Sequence, residues 1–202
     1  LKKQTGVDGF RFDASKHYPS DVLQDVLWNT KYNAGWASGG QPLFAIGEYI
    51  GNASEIDNWV SSVQYSNGGT EDMVGAFDFS LRQALKDMTA SNGAYDIGTI
   101  PNAQQTNRYR TVPFVNNHDT FRPQKDGSGN ITGWDSGNEI GGHIDPFDGR
   151  LSAAYAVAFA VDGSPQVFFE DLFNIAGTGK RYSHLPTNTA DLPINNDIAN
   201  II

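Results

Sequence analysis

Three short apolar runs in this chain each stop at a carboxylate. They are Gly6-Val7-Asp8-Gly9-Phe10-Arg11-Phe12-Asp13, Leu43-Phe44-Ala45-Ile46-Gly47-Glu48 and Thr111-Val112-Pro113-Phe114-Val115-Asn116-Asn117-His118-Asp119. Short runs rich in Phe, Val and Ile, bounded by Gly and Asn, read as buried strands. Strands apolar on both faces belong to parallel sheets covered by helices. Asp13, Glu48 and Asp119 then stand where strands run out, at one rim of such a sheet.

The segments between these runs read as helices. Ser20 or Asp21 is placed to cap a helix with Val22, Leu23, Val26 and Leu27 at helical spacing. Ser54-Glu55-Ile56-Asp57 has capping-box form ahead of Trp59, Val60 and Val63, and Ser80-Leu81-Arg82-Gln83 repeats the form ahead of Ala84, Leu85 and Met88. Further strands are expected at Val74–Phe79, Val112–Asn116 and Gln166–Phe169. Leu151–Val161 is apolar nearly all round, which predicts a fully buried helix. Residues 120–149, rich in Gly, Asp and Asn, read as a long loop, and loops of that length are usually functional or disordered. The tail from Asn174 to Ile202 has no usable periodicity.

Strand–helix alternation leaves two architectures, an open doubly wound sheet or a (β/α)8 barrel. No Gly-x-Gly-x-x-Gly turn follows the first strand and no P-loop is present, which disfavours the nucleotide-binding sheets. In barrels the chemistry sits at the rim where strands end. A formal net charge of −9 disfavours a nucleic-acid partner, since phosphate binding needs basic patches. A neutral sugar or a cation is easier to accommodate. There is no cysteine, hence no disulfide, thiolate metal site or cysteine nucleophile. No run approaches the roughly 18–20 apolar residues of a membrane helix, so no membrane partner is expected.

Side chains two apart on a strand share a face, so Arg11 and Asp13 point the same way. A guanidinium beside Asp13 favours its ionised form and orients it, as a nucleophile requires. Glu48 follows Ile46 and Gly47, an apolar setting that raises a carboxyl pKa and suits a general acid. Carboxyls pushed in opposite directions mark glycoside hydrolysis. Asp119, next to His118, is a candidate third acid. Each alone has a plainer reading: Asp13 as a strand-end residue or helix cap, Glu48 as a structural ion pair, Asn117-His118-Asp119 as a turn. Together at one rim, the functional reading is stronger. Asp78 reads as a structural acid. Tyr18, Tyr49, Phe121 and Trp134 are candidate sugar-stacking surfaces, whereas Trp28 has core spacing. Asp135, Glu139, His143 and Asp145 have no diagnostic ligand spacing and read as a solvated loop.

These residues carry a resemblance. Gly9-Phe10-Arg11-Phe12-Asp13-Ala14-Ser15-Lys16-His17 resembles the strand-four motif of the α-amylase family of glycoside hydrolases. Gly47-Glu48 is similar to its strand-five motif and Phe114-Val115-Asn116-Asn117-His118-Asp119 to its strand-seven motif. Gly163-Ser164-Pro165-Gln166-Val167-Phe168-Phe169 is similar to its entry into strand eight. The motifs stand in family order up to about Phe173.

The resemblance implies an α/β fold, a partial (β/α)8 TIM barrel, with residues 1–202 forming one partial catalytic domain. It implies a retaining hydrolase of α-1,4-glucans such as starch, working through a covalent glycosyl intermediate. Asp13 is then the nucleophile, Glu48 the acid/base and Asp119 the acid that holds sugar hydroxyls. Arg11 orients Asp13, His118 contacts the sugar, and Lys16 and His17 reach toward the leaving-group side. The backbone carbonyl of His17 would also ligate a structural calcium. A monomeric parent enzyme and an extracellular or periplasmic location are further implications. A transglycosylase of the same family and a non-catalytic carbohydrate-binding relative are the alternatives. Strands one to three, with the rest of the site and most calcium ligands, are not in this sequence. The chain therefore reads as a fragment, weakly active by itself at best.

Overall fold

The computed structural model describes residues 2–33, 44–64, 73–135, 140–173 and 194–202. Its centre is a parallel sheet of β1 (Gly9–Phe12), β2 (Phe44–Gly47), β3 (Gly75–Phe77) and β4 (Thr111–Val112), in that order. The register sets Gly9 opposite Phe44 and Phe12 opposite Gly47, then Ile46 opposite Gly75 and Phe77 opposite Val112. Neighbours in sequence are neighbours in space, with helices in the crossovers, as expected for parallel pairing.

Three expected strands shrink, the one expected over Val74–Phe79 to Gly75–Phe77. β4 stops at Val112 because Pro113 has no N–H to donate, and Phe114 keeps one parallel bridge, to Gln166. The strand expected over Gln166–Phe169 is reduced to that bridge. The Phe168 carbonyl accepts from Asp171 and Leu172 N–H instead, opening a short helix.

The helices are α1 (Lys2–Thr5), α2 (Ser20–Trp28), α3 (Ala53–Ser62), α4 (Phe79–Ala90), α5 (Ile100–Ala103), α6 (Leu151–Ala160), α7 (Phe169–Leu172) and α8 (Asn196–Ala199). Neither Ser20 nor Asp21 caps α2. Its N-cap position is Pro19, and Asp21 Oδ1 accepts from the next amide, that of Val22. Both caps lie two residues earlier than the serines suggest, and only the first is a capping box. Asn52 caps α3, exchanging bonds with Glu55, and Asp78 caps α4 by accepting from Leu81 N–H at 2.9 Å. Ser54 and Ser80 fall inside the first turn, while Asn52 and Asp78 occupy the non-helical position from which a short acceptor reaches back.

Of the apolar positions on α2, Leu23 and Leu27 are buried, whereas Val22 and Val26 are exposed. With Ile56, Trp59, Val60 and Val63 of the α3 segment, Leu23 and Leu27 cover β2, β3 and Phe114. Trp28 lies against this core, as its spacing predicts. A second core joins Leu81 and Leu85 of α4 to Leu151, Ala154, Tyr155 and Ala158 of α6. The expectation that α6 is buried all round fails: Ala153, Ala156 and Ala160 face solvent. Alanine costs little there, so an apolar sequence hides a one-sided helix. Residues 120–149 are not simply a loop. They contain an antiparallel hairpin, β5 (Pro123–Lys125) and β6 (Ile131–Trp134), turned at Asp126, whose Oδ1 accepts from Ser128 and Asn130 N–H.

Arg82, read from sequence only as part of a capping pattern, is wholly buried. Its guanidinium donates to the carbonyls of Val115 (3.1 Å), Ile140 (2.7 Å) and Gly142, binding α4 to the strand-seven motif and to the chain after the hairpin. Desolvation lowers its pKa to about 10, so it remains a cation at neutral pH.

Burial pushes the Asp78 carboxyl up to about 6, against the lowering effect of the Leu81 N–H. The folded state thus keeps a proton that the unfolded chain has released. Stability from this group is complete below about pH 4 and is lost as pH rises through about 6, a swing on the order of 3 kcal/mol. Asp78→Asn keeps the cap acceptor and removes the desolvated charge. Urea midpoints at pH 4 and pH 7 should converge in the variant relative to the parent. An unchanged gap would show that Asp78 does not carry this dependence.

Candidate active site

The β1–β2 pairing continues past both strands. Glu48 N–H donates to Phe12 O at 2.8 Å, and Ser15 N–H donates to Glu48 O at 2.9 Å. The chain turns at Ala14, whose φ of 49° is left-handed, an uncommon state for a residue with a Cβ. That turn aims Ala14 N–H at Glu48 Oε2, 3.3 Å away. Ahead of Glu48, Gly47 is needed for space, because a Cβ there would collide with the Trp59 ring.

One Arg11 nitrogen contacts both acids, Asp13 Oδ1 at 3.1 Å and Glu48 Oε1 at 2.9 Å. The two carboxyls differ in surroundings: the Asp13 side chain is 71% exposed and that of Glu48 is 7% exposed. Burial raises the Glu48 pKa above the usual carboxylate value, Arg11 and the Ala14 N–H oppose the shift, and neighbouring Asp13 adds to it. The apolar approach to Glu48 thus has the predicted effect. Arg11 also lies 5.8 Å from the Phe77 ring centroid, an arrangement that favours a cation.

Beyond β4, Asn117 Oδ1 accepts from Asp119 N–H (3.0 Å) and Thr120 N–H (2.8 Å). This is a turn, as the plainer reading has it, and it also presents His118 Nε2 to Asp119 Oδ2 at 3.2 Å. Arg11, Glu48, Phe77, Asn117, His118 and Gln166 line one cleft of about 180 Å³. The structure therefore brings Arg11, Glu48 and His118 together, with Asp13 joined through Arg11 and Asp119 through His118. Phe77 and Gln166 were not singled out as site residues. Phe77 does stand at a strand end beside Asp78, and Gln166 follows the Gly163-Ser164-Pro165 break.

Other candidates lie elsewhere. Lys16 lines a separate groove of about 530 Å³ with Asn52, Glu55, Gln83 and Tyr95. His17 ends a 3-10 turn, Ser15–His17, and is exposed. Among the described residues, no group of three or more His, Asp or Glu side chains is placed to hold a metal. A calcium ion at the His17 carbonyl would have to draw its other ligands from outside them.

The aromatic candidates have structural partners. Tyr49 stacks on Trp59 at 5.2 Å, and Tyr18 packs on the first core. Phe121 is buried, with Trp134 against it at 5.1 Å. Of the four residues read as a solvated loop, Asp145 is exposed, Asp135 donates its N–H to Arg122 O, and Glu139 lies outside the described residues. His143 corrects that reading, being buried beside Asp171.

No family model matches the chain. The "Alpha-amylase" of Geobacillus stearothermophilus is 27% identical over 173 residues, 85% of this chain and 27% of that protein. A "Cyclomaltodextrin glucanotransferase" of Paenibacillus macerans is 30% identical over 129 residues, 61% of this chain and 16% of that protein. The curated relatives of this chain are α-amylases and related enzymes. Among solved structures, the cyclic alpha-maltosyl-(1-->6)-maltose hydrolase of Arthrobacter globiformis superposes with a TM-score of 0.58 at 16% identity. The match covers 98% of this chain and 40% of that one, and the likeness is one of fold. The chain thus spans well under half the length of each of these proteins.

Removing Arg11 takes away the main charge that lowers the Glu48 pKa. In Arg11→Met, the Glu48 carboxyl followed by carbon NMR should titrate at higher pH than in the parent. A midpoint that stays or falls would contradict the shared contact.

Proposed function

We propose that the protein of which this chain is part is a retaining glycoside hydrolase acting on α-1,4-glucans, with the chain supplying the latter part of a (β/α)8 barrel. The reading is supported by the relatives and by one geometric observation. Asp13 Oδ1 and Glu48 Oε1 contact the same Arg11 nitrogen at 3.1 and 2.9 Å, so the two acids stand side by side, which supports the close carboxyl pair of a retaining enzyme. In a retaining pair no water stands between acid and sugar, and the carboxylate attacks the sugar itself.

In this reading the Asp13 carboxylate attacks the anomeric carbon as the glycosidic C–O bond breaks. Glu48, whose pKa burial raises, gives its proton to the departing oxygen. Water then attacks the anomeric carbon, Glu48 takes the water's proton, and the ester to Asp13 is released. Asp119 and His118 hold sugar hydroxyls and stabilise the positive charge that builds on the ring. Arg11 orients Asp13 through their 3.1 Å contact. Lys16 and His17 contact the leaving-group side, with Lys16 doing so from the neighbouring groove. Calcium at the His17 carbonyl, a monomeric enzyme, and an extracellular or periplasmic location complete the proposal. No described helix is long and apolar enough to cross a membrane.

The glucanotransferase relative favours a second reading, transfer of the glycosyl group to another sugar in place of water. Chromatography of products from a defined maltooligosaccharide separates the two, since transfer yields chains longer than the substrate.

Three outcomes test the hydrolase. Proton NMR of the first product should show the α-anomer; a β-anomer would exclude retention. A mechanism-based glycosyl inactivator should leave its adduct on Asp13. In the full-length enzyme, Asp13→Asn and Glu48→Gln should each cost several orders of magnitude in kcat, and near-parent rates for either would remove its role.

A further inference from the structure

His143 is enclosed by aromatic rings: Trp134 at 4.5 Å, Phe121 at 5.2 Å and Phe168 at 5.7 Å between centroids. Its two nitrogens face different partners. Nδ1 lies 2.8 Å from Thr120 Oγ1, and Nε2 lies 3.5 Å from Asp171 Oδ1, with both His143 and Asp171 side chains fully buried. The other oxygen, Asp171 Oδ2, accepts from Asn116 Nδ2 at 2.8 Å and from Tyr155 O–H at 2.7 Å. Burial and the Asp171 charge push the Tyr155 pKa up, so the phenol keeps the proton it donates.

The Thr120 hydroxyl decides which protons His143 carries. It donates to Asn117 O at 3.0 Å and accepts from Asn117 N–H at 3.0 Å. A hydroxyl has one proton and two lone pairs, so the remaining lone pair accepts from Nδ1–H of His143. A ring with only that proton would set the Nε2 lone pair against a buried carboxylate. A ring protonated only at Nε2 would draw the Thr120 proton away from Asn117 O. A doubly protonated ring donates Nδ1–H to the Thr120 hydroxyl and turns Nε2–H toward Asp171 Oδ1, and an aromatic enclosure with a carboxylate beside it suits a cation.

We propose that His143 is a positioning residue for Asp119: as a buried imidazolium paired with Asp171, it holds the Thr120 hydroxyl and so fixes the Asn117–Thr120 turn that presents His118 and Asp119. Asn117 is the link, because the residue that Thr120 grips at both backbone atoms also accepts the Asp119 N–H on its side chain. The charged and titratable groups arrayed on this unit are Asp171 of α7, Tyr155 of α6 and the turn itself. Calling Asp119 a substrate contact rests on the hydrolase reading; the positioning does not.

The test uses the full-length protein with nitrogen-15 in its histidines. Imidazole shifts at neutral pH should show both His143 nitrogens protonated, and a neutral ring would overturn the proposal. Thr120→Val removes the hydroxyl at nearly constant shape and should move the His118 and Asp119 amide resonances, while Thr120→Ser should leave them in place. Equal movement in both variants, or none in Thr120→Val, would also overturn it. His143→Leu gives the same comparison from the other end of the bond should Thr120→Val fail to fold. On a maltooligosaccharide, Thr120→Val should lower kcat roughly 10–100-fold with little change in KM, with activity restored in Thr120→Ser. An unchanged kcat would contradict the role. A parent that hydrolyses no glucan would fault the hydrolase reading, and the NMR results would still decide the positioning.

Discussion

Phe12 lies opposite Gly47, and from that pairing the two chains run on past the sheet in step. Glu48 N–H reaches Phe12 O, Ser15 N–H reaches Glu48 O, and Ala14 turns back to bond the Glu48 carboxylate. A slip of one residue would send every side chain of the strand to the opposite face. Arg11 and Asp13 would then turn away from Glu48 together. The same register requires Gly47 beneath the Trp59 ring, so helix packing on one side and acid placement on the other share one constraint.

Burial acts on three charged groups here with different outcomes. Glu48 and Asp78 are both shifted toward the neutral acid, but Glu48 faces a cleft beside Arg11 while Asp78 is committed to the first turn of α4. Arg82 retains its charge because three carbonyls replace water around it. A shifted pKa by itself therefore does not mark function in this molecule. What separates Glu48 is the opening in front of it and the second acid held by the same guanidinium.

Much of this was legible in the sequence where physics is local. Strand ends at Phe12 and Gly47 follow from short apolar runs, and Arg11 reaches Asp13 because the two are two residues apart. The raised pKa of Glu48 follows from its apolar approach. Cap positions were displaced because Ser54 and Ser80 mimic the pattern that Asn52 and Asp78 satisfy. The hairpin escaped notice because its strands are too short and polar to show alternation. His143, Asp171 and Arg82 were invisible for a deeper reason: their partners are far away in sequence, and no periodicity announces a buried polar group. Phe121 and Trp134, read as sugar platforms, are occupied in enclosing one of those groups.

The Arg82 ties span 58 and 60 residues of chain, to Ile140 and Gly142. A ribosome delivers these partners in order, so α4 is made long before the carbonyls that replace water around its guanidinium. Until the segment after the hairpin emerges, docking that face of α4 would bury a cation with its hydrogen bonds unmade. Hydration of one arginine thus sets a timetable, delaying the docking of that face of α4 until the segment after the hairpin has emerged.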